Sequence, residues 1–374
     1  MVYLTFGDMY SGVYQSQVIE VCEYLSELSN KKVRLIAFVP YPFLLQQKTI
    51  LRKKYSRVLV FPMLPAHLHR WKLYIPFLAL ILLFVSSKKI FCRGIFTSNM
   101  GLLLRKFHLV QNVVFDARGA QKEEEKEYNV TGDQKINNQI ETLEIKAIND
   151  SDYRISVSRQ LVQYWENEYD YQKGKEVIIP CTLAESFTEK TTNSFDVRKK
   201  YGFGENDIVL VYSGSSEGWQ SFALLNDWLN RILAENDNVK IIFLAKKEAV
   251  ENLIFYENNT SKIAIDWVKP EEVFDVLSVC DYGILHREKS VTNQVASPTK
   301  FAEYLASGLN VLISPGIGDY TEMVVNENLG SVLSDDSIIT LEKLSPQRKK
   351  ELRNFALENL TKKSFKKQYR TVLQ

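Results

Sequence analysis

Cysteine is scarce in this sequence, and no two cysteines stand close enough to form a CxxC pair. The 374 residues contain four of them, spread over the whole chain: Cys22, Cys92, Cys181 and Cys280. This spacing argues against both a disulfide framework and a cysteine-rich zinc site, so we expect small buried side chains in a reducing compartment. The first residues also lack the basic and apolar regions of a secretory signal, and we expect no signal peptide.

Acidic residues are absent from residues 31–115, which we call the basic block. These 85 residues contain 15 lysines and arginines, whereas the rest of the chain has 32 Lys and Arg against 45 Asp and Glu. Such a block attracts an anionic surface. Aromatic residues such as Tyr41, Phe43 and Trp71 are interleaved with the cations, and no nucleic-acid-binding motif accompanies them. We therefore predict an anionic membrane surface as a partner rather than nucleic acid, and a cytoplasmic, peripheral location on the inner face of the cell membrane.

One apolar run lies inside the basic block. It covers residues 73–85 and is bracketed by Arg70-Trp71-Lys72 and by Lys88-Lys89. The run is too short to cross a bilayer comfortably, so we favour a buried helix over insertion into the membrane.

Short apolar runs alternate with amphipathic segments along the chain. The pattern predicts seven strands in the first half, starting near residues 2, 33, 58, 90, 113, 153 and 177, and five in the second, starting near 207, 239, 264, 281 and 311. Alternation of this kind indicates α/β domains with parallel, doubly wound sheets. We place a first domain at 1–184 and a second at 185–355. A C-terminal helix at 356–374 is expected to return to the first domain.

The segment Ser297-Pro-Thr-Lys-Phe-Ala-Glu303 has the pattern of a loop that enters a helix. Pro298 suits a first helical turn, and Ser297 before it can act as a cap. The free N–H groups of that turn, the helix dipole and Lys300 together favour an anion. Glu303 follows at helical spacing and can accept hydrogen bonds from hydroxyl groups. A diphosphate followed by a ribose matches this order, although a capped helix with solvated charges has the same pattern.

The sequence gives little sign of a metal site. We identify no loop with a DxD motif and no set of histidines with a carboxylate, and the run Glu123–Glu125 is typical of a solvated helix face. His67-x-His69 lacks a third ligand, so we predict no metal there. His286 precedes Arg287 at a strand end and lies either at a site or in the core.

Asp116 and Arg118 follow a predicted strand at the end where ligands bind in α/β sheets. They either contact a substrate or form an internal pair that fixes the turn after the strand.

Taken together, these motifs resemble a known family. Tyr212-Ser-Gly214, Asp266-Trp-Val268, Cys280-Asp-Tyr-Gly-Ile-Leu285, the segment 297–314 and Gly318-Asp-Tyr-Thr-Glu322 occur in an order typical of retaining GT-B glycosyltransferases of family 4. Phe115-Asp-Ala-Arg-Gly119 and Ile155-Ser-Val-Ser158 resemble motifs of the capsule and surface-polysaccharide branch. The resemblance covers nearly the whole chain and is strongest over residues 280–325. It implies two Rossmann-like, doubly wound domains that face each other across a cleft.

The resemblance also implies roles for single residues. Glu303 would accept from the ribose hydroxyls, and Pro298, Thr299 and Lys300 would hold the diphosphate. Val268 would lie near the nucleobase, and Gly214 would belong to the same donor site. From the first domain, Gly12 and Val13 would let the backbone approach the phosphates. The implied catalytic set is Lys300, Glu303, Arg287, Asp116 and Arg118.

Two departures from the family pattern concern the sugar and the phosphates. Val295 stands where family members often carry a glutamate, so Asn293 or Arg287 would have to bind the donor sugar. The Arg and Lys expected after the first strand of the second domain are missing, and Arg287 or Lys246 would replace their charge.

The resulting hypothesis is a metal-independent, hexosyltransferase-like enzyme without a cofactor. It would move a sugar, with retention, from a UDP- or GDP-type donor to a lipid-linked or glycan acceptor in surface polysaccharide biosynthesis. Two alternatives stay open at this point. One is a nucleotide-sugar epimerase or hydrolase of the same fold, and the other is a catalytically degenerate nucleotide-binding partner subunit.

Overall fold

The structure, a computed structural model, describes residues 1–64, 67–85, 87–190, 195–214, 222–250, 253, 257–333 and 340–374. The chain divides into two compact units. The first comprises Met1–Pro180 and Phe365–Gln374, and the second comprises Cys181–Ser364. We describe each unit by itself.

The first unit is built on a parallel sheet of seven strands. In chain order the strands are β1 Val2–Phe6, β2 Arg34–Pro40, β3 Val58–Met63, β4 Lys89–Arg93, β5 Asn112–Asp116, β6 Tyr153–Ser156 and β7 Glu176–Ile178. Their order in the sheet is β3-β2-β1-β4-β5-β6-β7. β1 is buried along its whole length, as expected for a central strand covered by helices on both faces.

Eight of the α-helices lie between these strands. They are α1 Gly12–Tyr14, α2 Glu20–Ser29, α3 Leu44–Lys54, α4 Ile75–Val85, α5 Gly94–Lys106, α6 Gln121–Tyr128, α7 Gln134–Asp150 and α8 Arg159–Tyr169. A π-helical turn, Gln15–Ile19, joins α1 to α2, and 3₁₀ turns precede α3 at Tyr41–Phe43 and α4 at Leu68–Tyr74.

The second unit contains a parallel sheet of six strands. These are β8 Ile208–Ser213, β9 Val239–Leu244, β10 Ile263–Asp266, β11 Tyr282–Leu285, β12 Asn310–Ile313 and β13 Gly330–Val332, in the order β10-β9-β8-β11-β12-β13. The helices are α9 Glu185–Thr188, α10 Phe195–Lys200, α11 Phe222–Glu235, α12 Lys247–Val250, α13 Val273–Ser278, α14 Val291–Gln294, α15 Thr299–Ala306, α16 Tyr320–Asn326 and α17 Pro346–Asn359. A 3₁₀ turn, Glu257–Lys262, precedes β10.

Strand order reverses once in each sheet, between β1 and β4 in the first unit and between β8 and β11 in the second. The carboxyl ends of the strands at such a reversal form the usual ligand-binding crevice of a doubly wound sheet. Each unit therefore has one place where its topology favours a site.

The C-terminal segment forms two helices. After α17, a turn at residues 360–365 leads to α18, Lys366–Leu373. The turn begins where the Leu360 carbonyl accepts a hydrogen bond from the backbone N–H of Leu183 instead of continuing the helix. α18 packs in the first unit, where the rings of Tyr369 and Tyr24 meet edge to face.

The predicted buried helix at residues 73–85 is only partly buried. Within α4 the buried side chains are Leu78, Ile81 and Leu82, whereas several large apolar side chains on the other side are exposed. The prediction was wrong for that side, because the described residues of the unit pack against only one face of the helix. All four cysteines are buried free thiols, as expected.

Candidate functional site

The strand reversal in the second unit is held together by Tyr304 of α15. Its hydroxyl accepts a hydrogen bond from the Ser213 N–H at 3.0 Å and donates to the Ile284 carbonyl at 3.3 Å. Its ring is fully buried against Gly283, where an added Cβ would lie 2.3 Å from two ring carbons. A glycine in β11 thus lets one tyrosine fix the carboxyl ends of β8 and β11.

The start of α15 differs in one detail from the sequence prediction. Pro298, rather than Ser297, is the residue that precedes the first helical turn. The Ser297 hydroxyl instead accepts from the Cys181 N–H at 2.9 Å and lies 2.8 Å from the Tyr320 hydroxyl. Pro298 provides no side-chain cap for this helix, and the Phe301 N–H in its first turn donates to the Pro298 carbonyl at 3.2 Å.

Lys300 lies in that first turn and is half-buried. Its Nζ lies 5.7 Å from the centre of the Tyr212 ring, above the end of β8. Burial, followed by the positive charge of Arg287, lowers the pKa of Lys300 to about 7, although Glu303 acts in the opposite direction. An amine with a pKa near 7 becomes more fully protonated when an anion binds beside it, because the negative charge raises its pKa.

Glu303 lies one helical turn after Lys300 and is also half-buried. Burial raises the pKa of its carboxyl group, and the nearby Lys300 charge partly offsets this. The structure thus brings the two residues together at the same helix start, as their spacing predicts.

Arg287 follows β11 and is positioned by its neighbours. Its backbone N–H donates to the Ser314 Oγ at 2.6 Å, and its Nη1 donates to the Oδ1 of Asn293 at 3.1 Å. Asn293 is fully buried and donates to the Glu288 carbonyl at 3.0 Å. The two candidates for the sugar-binding role, Arg287 and Asn293, therefore form one hydrogen-bonded unit. His286 is half-buried beside them, with its Nδ1 3.2 Å from the Ser314 Oγ.

Val295 is buried, with 2% of its surface exposed. The loop around it packs against Gly318, whose N–H donates to the Asn293 carbonyl at 3.1 Å. A Cβ at Gly318 would lie 1.9 Å from the Ala296 carbonyl oxygen. This close approach of the two backbone segments therefore requires glycine at position 318. The side chain at position 295 fills the interior in this structure and offers no polar atom to a ligand.

The other predicted donor residues lie around the carboxyl ends of β8 to β10. The Gly214 N–H donates to the Leu244 carbonyl at 3.2 Å, and residues 215–221 lie outside the described residues. Val268 is half-buried next to Trp267, whose ring is 60% exposed. Lys246 Nζ lies 5.7 Å from the centre of that ring, so it contacts Trp267 in this structure.

In the first unit, Asp116 and Arg118 form the internal pair that was one of the two interpretations. The Asp116 Oδ2 accepts from the Arg118 Nη2 at 3.0 Å and from the Tyr3 hydroxyl, and Arg93 Nη1 lies 3.9 Å away. Asp116 is only 1% exposed, so a substrate is not in direct reach of it. Arg118 also donates to the Gln17 carbonyl at 3.3 Å.

Arg118 additionally lines a pocket of about 290 Å³ at the strand reversal of the first unit. Asp8, Arg93 and Glu124 contribute further charged groups to its wall, and Phe6, Leu68, Phe96 and Ile140 contribute apolar ones. Burial raises the pKa of Glu124 to about 7. A Cβ at Gly119 would lie 2.1 Å from the Glu124 Oε1, so the glycine makes room for that carboxyl group.

The acidic run Glu123–Glu125 is therefore not a solvated face, and that prediction was wrong. Glu123 and Glu125 are buried. Glu125 accepts from both the N–H and the hydroxyl of Thr131 at 2.8 Å, which holds the loop after α6 against the pocket.

Gly12 and Val13 are exposed at the start of α1. The Ser11 Oγ caps this turn by accepting from the Tyr14 N–H at 3.1 Å. Nothing lies within 4 Å of a Cβ added at Gly12, so the first unit itself does not require a glycine there.

The structure of the chain is similar to solved structures over nearly its whole length. A glycosyltransferase from Rickettsia africae aligns over 100% of this chain and 98% of its own, with a TM-score of 0.66 and 15% identity. Anabaena HepE in complex with UDP aligns over 100% and 94%, with a TM-score of 0.63 and 13% identity. A protein from Listeria monocytogenes described as a UDP-N-acetylglucosamine 2-epimerase aligns over 98% and 89%, with a TM-score of 0.55 and 11% identity.

The fold is GT-B. The predicted pair of Rossmann-like, doubly wound units is thereby confirmed. At 11–15% identity the likeness shows the fold alone. No protein-family model matches the chain, and no curated protein sequence matches it.

Two acidic features of this GT-B protein bear on metal binding. Asp133 places a carboxylate beside His67 and His69, which the sequence did not reveal, and the three side chains each offer an atom able to bind a metal within 4.8 Å of one another. The Asp133 Oδ2 is 2.5 Å from the His69 Nδ1, and its Oδ1 accepts from the Lys135 N–H. A DxD triplet also occurs at residues 150–152 and begins with the last residue of α7, whereas the sequence prediction concerned only loops. Its Asp152 pairs with Arg105 at 2.7 Å, at the start of β6 and away from the carboxyl ends of the strands.

Proposed function

We propose that the protein is a glycosyltransferase that uses a nucleoside diphosphate sugar as its donor. The observation that carries the proposal is the meeting of Lys300, Glu303 and Arg287 at the strand reversal of the second unit. The GT-B fold and the solved neighbours named above, one of them in complex with UDP, support it.

The chemistry requires this kind of site. When the glycosidic bond to the diphosphate breaks, negative charge accumulates on the phosphate oxygens. Lys300 and the positive end of the α15 dipole would stabilise that charge, and Glu303 would bind the ribose. Arg287 is already oriented by Asn293 and would bind at the sugar end of the donor. In the proposal these protein groups supply the positive charge, and the transfer proceeds with retention.

For the acceptor we propose a lipid-linked or glycan molecule of surface polysaccharide biosynthesis. The pocket of the first unit supports this, because its apolar wall can pack against a sugar ring while Glu124 and Arg118 bind its hydroxyl groups. A pKa near 7 allows Glu124 both to donate and to accept a hydrogen bond at neutral pH.

The Glu303 assignment has a direct test. We expect Glu303→Ala to weaken UDP or GDP binding by roughly 10–100-fold, the effect of losing a hydrogen bond to a charged group, and to leave pyrophosphate binding close to wild type. Titration calorimetry with the nucleotide and with pyrophosphate measures both. An equal loss for both ligands would show that Glu303 does not bind the ribose. If neither nucleotide binds the wild-type protein, the enzyme proposal itself fails.

The pKa of Lys300 leads to a pH-dependent prediction. At pH 8 the side chain is mostly neutral, and a bound diphosphate raises its pKa, so binding should take up close to one proton. At pH 6 the lysine is already charged, and its contribution should nearly disappear. Calorimetry in two buffers of different ionisation enthalpy measures the uptake. The Lys300→Arg variant should take up no proton on binding at pH 8, because arginine is always charged. If its proton uptake equals that of the wild type, the proton binds to a group other than Lys300.

An epimerase remains the second candidate, because the Listeria neighbour shares the fold. The two are separated by incubating the protein with a radiolabelled nucleotide sugar, with and without a membrane extract as the source of acceptor. Transfer of label into glycan or lipid supports the transferase. A changed sugar that is still attached to nucleotide supports the epimerase, and binding without turnover supports a degenerate subunit.

We also propose a cytoplasmic location at an anionic membrane. Arg52, Lys53 and Lys54 are exposed in the last turn of α3 and carry part of the charge of the basic block. Their replacement by glutamate should weaken binding to phosphatidylglycerol vesicles at low salt, as measured by flotation. The matched control reverses Lys366, Lys367 and Arg370, which are exposed on α18 outside the block, and should still bind. Binding of the α3 variant that equals that of the wild type would contradict this part of the proposal.

A further inference from the structure

Helix α4 exposes an unusually apolar surface. We define the apolar stripe as Leu73, Phe77, Leu80, Leu83 and Phe84, whose side chains are 63%, 41%, 53%, 65% and 83% exposed. Within α4 they share one side of the helix, because Leu78, Ile81 and Leu82 point into the unit on the other. A contiguous patch of this kind on a soluble surface marks an interaction site.

The segment before α4 is firmly part of the first unit. Trp71 and Tyr74 are 2% and 6% exposed, and the Tyr74 ring contacts Phe6 and Phe38 edge to face. Phe77 reaches the same cluster through the Phe61 ring at 4.9 Å. Among the described residues one helical segment, Leu68–Val85, is long and apolar enough to cross a membrane by length and composition. Spanning would require Trp71 and Tyr74 to leave the core, so a transmembrane arrangement does not fit this packing.

Cations lie at both ends of the stripe. Arg70 and Lys72 are exposed before it and Lys88 is exposed after it, and no acidic residue occurs in the basic block around them. Lys72 also lies over the Trp71 ring, 5.6 Å from its centre. An apolar helix face with flanking cations is the pattern of a helix that lies in the interface of an anionic bilayer.

We propose that the apolar stripe inserts into the interfacial layer of an anionic phospholipid bilayer, with α4 parallel to the membrane plane. The inference rests on the membrane partner proposed above and names the element that enters the lipid. α4 has eleven residues and is therefore about 16 Å long, roughly half of the thickness of a hydrocarbon core. Its length suits an in-plane orientation.

A second copy of the chain is the other occupant that such a stripe could have. In a two-fold dimer the same patch faces itself, which would bring Arg70, Lys72 and Lys88 of both copies together. The basic block offers no carboxylate to separate these like charges. Anionic headgroups supply the opposite charge, so charge complementarity favours the bilayer.

Flotation of the full chain with vesicles of phosphatidylcholine and phosphatidylglycerol in 0.5 M NaCl tests the proposal. High salt screens attraction by the basic block but leaves apolar insertion in place. We expect the wild-type protein to stay bound and Leu83→Ser/Phe84→Ser to lose about 30-fold or more in partition coefficient. The matched control, Phe107→Ser/Val325→Ser, removes side chains that are 65% and 64% exposed elsewhere and should bind like the wild type. Circular dichroism and the melting temperature show that each variant is folded.

Three results would overturn the proposal. One is release of the wild-type protein by salt, which would leave an electrostatic contact only. Another is equal binding of both double variants. The third is a vesicle-free dimer that Leu83→Ser/Phe84→Ser converts to a monomer in sedimentation experiments, because a second copy would then cover the stripe. None of these results changes nucleotide binding by the second unit, so each is distinct from a failure of the donor assignment.

Discussion

Replacing Lys300 with methionine is expected to lower the turnover of the nucleotide sugar on the order of 10²–10³-fold, the cost of losing one preorganised charge donor at a developing anion. Methionine keeps much of the length of the side chain and its contact with Tyr212, so the change removes charge more than packing. The effect should fall on kcat more than on KM, because the charge of the leaving diphosphate is largest in the transition state. Initial rates of label transfer over a range of donor concentrations separate the two constants.

Lys246→Met is the matched control for this experiment. Lys246 belongs to the same unit but contacts the exposed Trp267 ring, so we expect its loss to leave turnover close to wild type. If Lys246→Met lowers kcat as strongly as Lys300→Met, Lys246 supplies the charge of the Arg and Lys that are missing after β8. The assignment of Lys300 as the main phosphate contact is then wrong.

Gly283→Ala is expected to destabilise the second unit strongly. The added methyl group would lie 2.3 Å from the Tyr304 ring, which is fully buried. Overpacking of this kind costs about 1–3 kcal/mol, and we expect the upper part of that range because the tyrosine hydroxyl also bonds Ser213 and Ile284. The melting temperature should fall by roughly 3–10 °C. Nucleotide affinity should fall as well, since the end of β8 loses its anchor.

Gly204→Ala provides the comparison for this prediction. Gly204 lies in the same unit, and the nearest atom to an added Cβ is 3.6 Å away, an ordinary contact. Its melting temperature should therefore stay near that of the wild type. A Gly283→Ala protein that melts like Gly204→Ala would mean that Tyr304 can shift without cost and does not fix the strand ends.

Local patterns in the sequence were sufficient for the fold and for the proximity of Lys300 and Glu303. Strands such as β1 and β8 are continuous apolar runs, and Lys300 and Glu303 lie one helical turn apart, so sequence spacing alone places them together. Residues far apart in sequence were harder to predict. Glu124 becomes a pocket residue because Gly119 leaves space for it, and Asp133 meets His69 across 64 positions.

The exposure of α4 illustrates a second limit. Composition predicts that an apolar helix is buried, but the exposed fraction depends on how much of the sheet each neighbouring element covers. The same holds for Asp116, whose partners Tyr3 and Arg93 come from two other strands. Such arrangements follow from strand order, which single-sequence patterns do not specify.

The path of the chain also has a practical consequence. Lys89 is 8% exposed, and its Nζ donates at 3.0 Å to the Val372 carbonyl near the very end of the chain. A fragment that stops at Pro180 would leave this ammonium group and the Tyr24 ring without their α18 contacts. Expression of the first unit on its own therefore requires residues 365–374 to be joined back through a short linker. A premature stop codon near residue 364 would therefore destabilise the first unit, although the codon lies at the carboxyl-terminal end of the second.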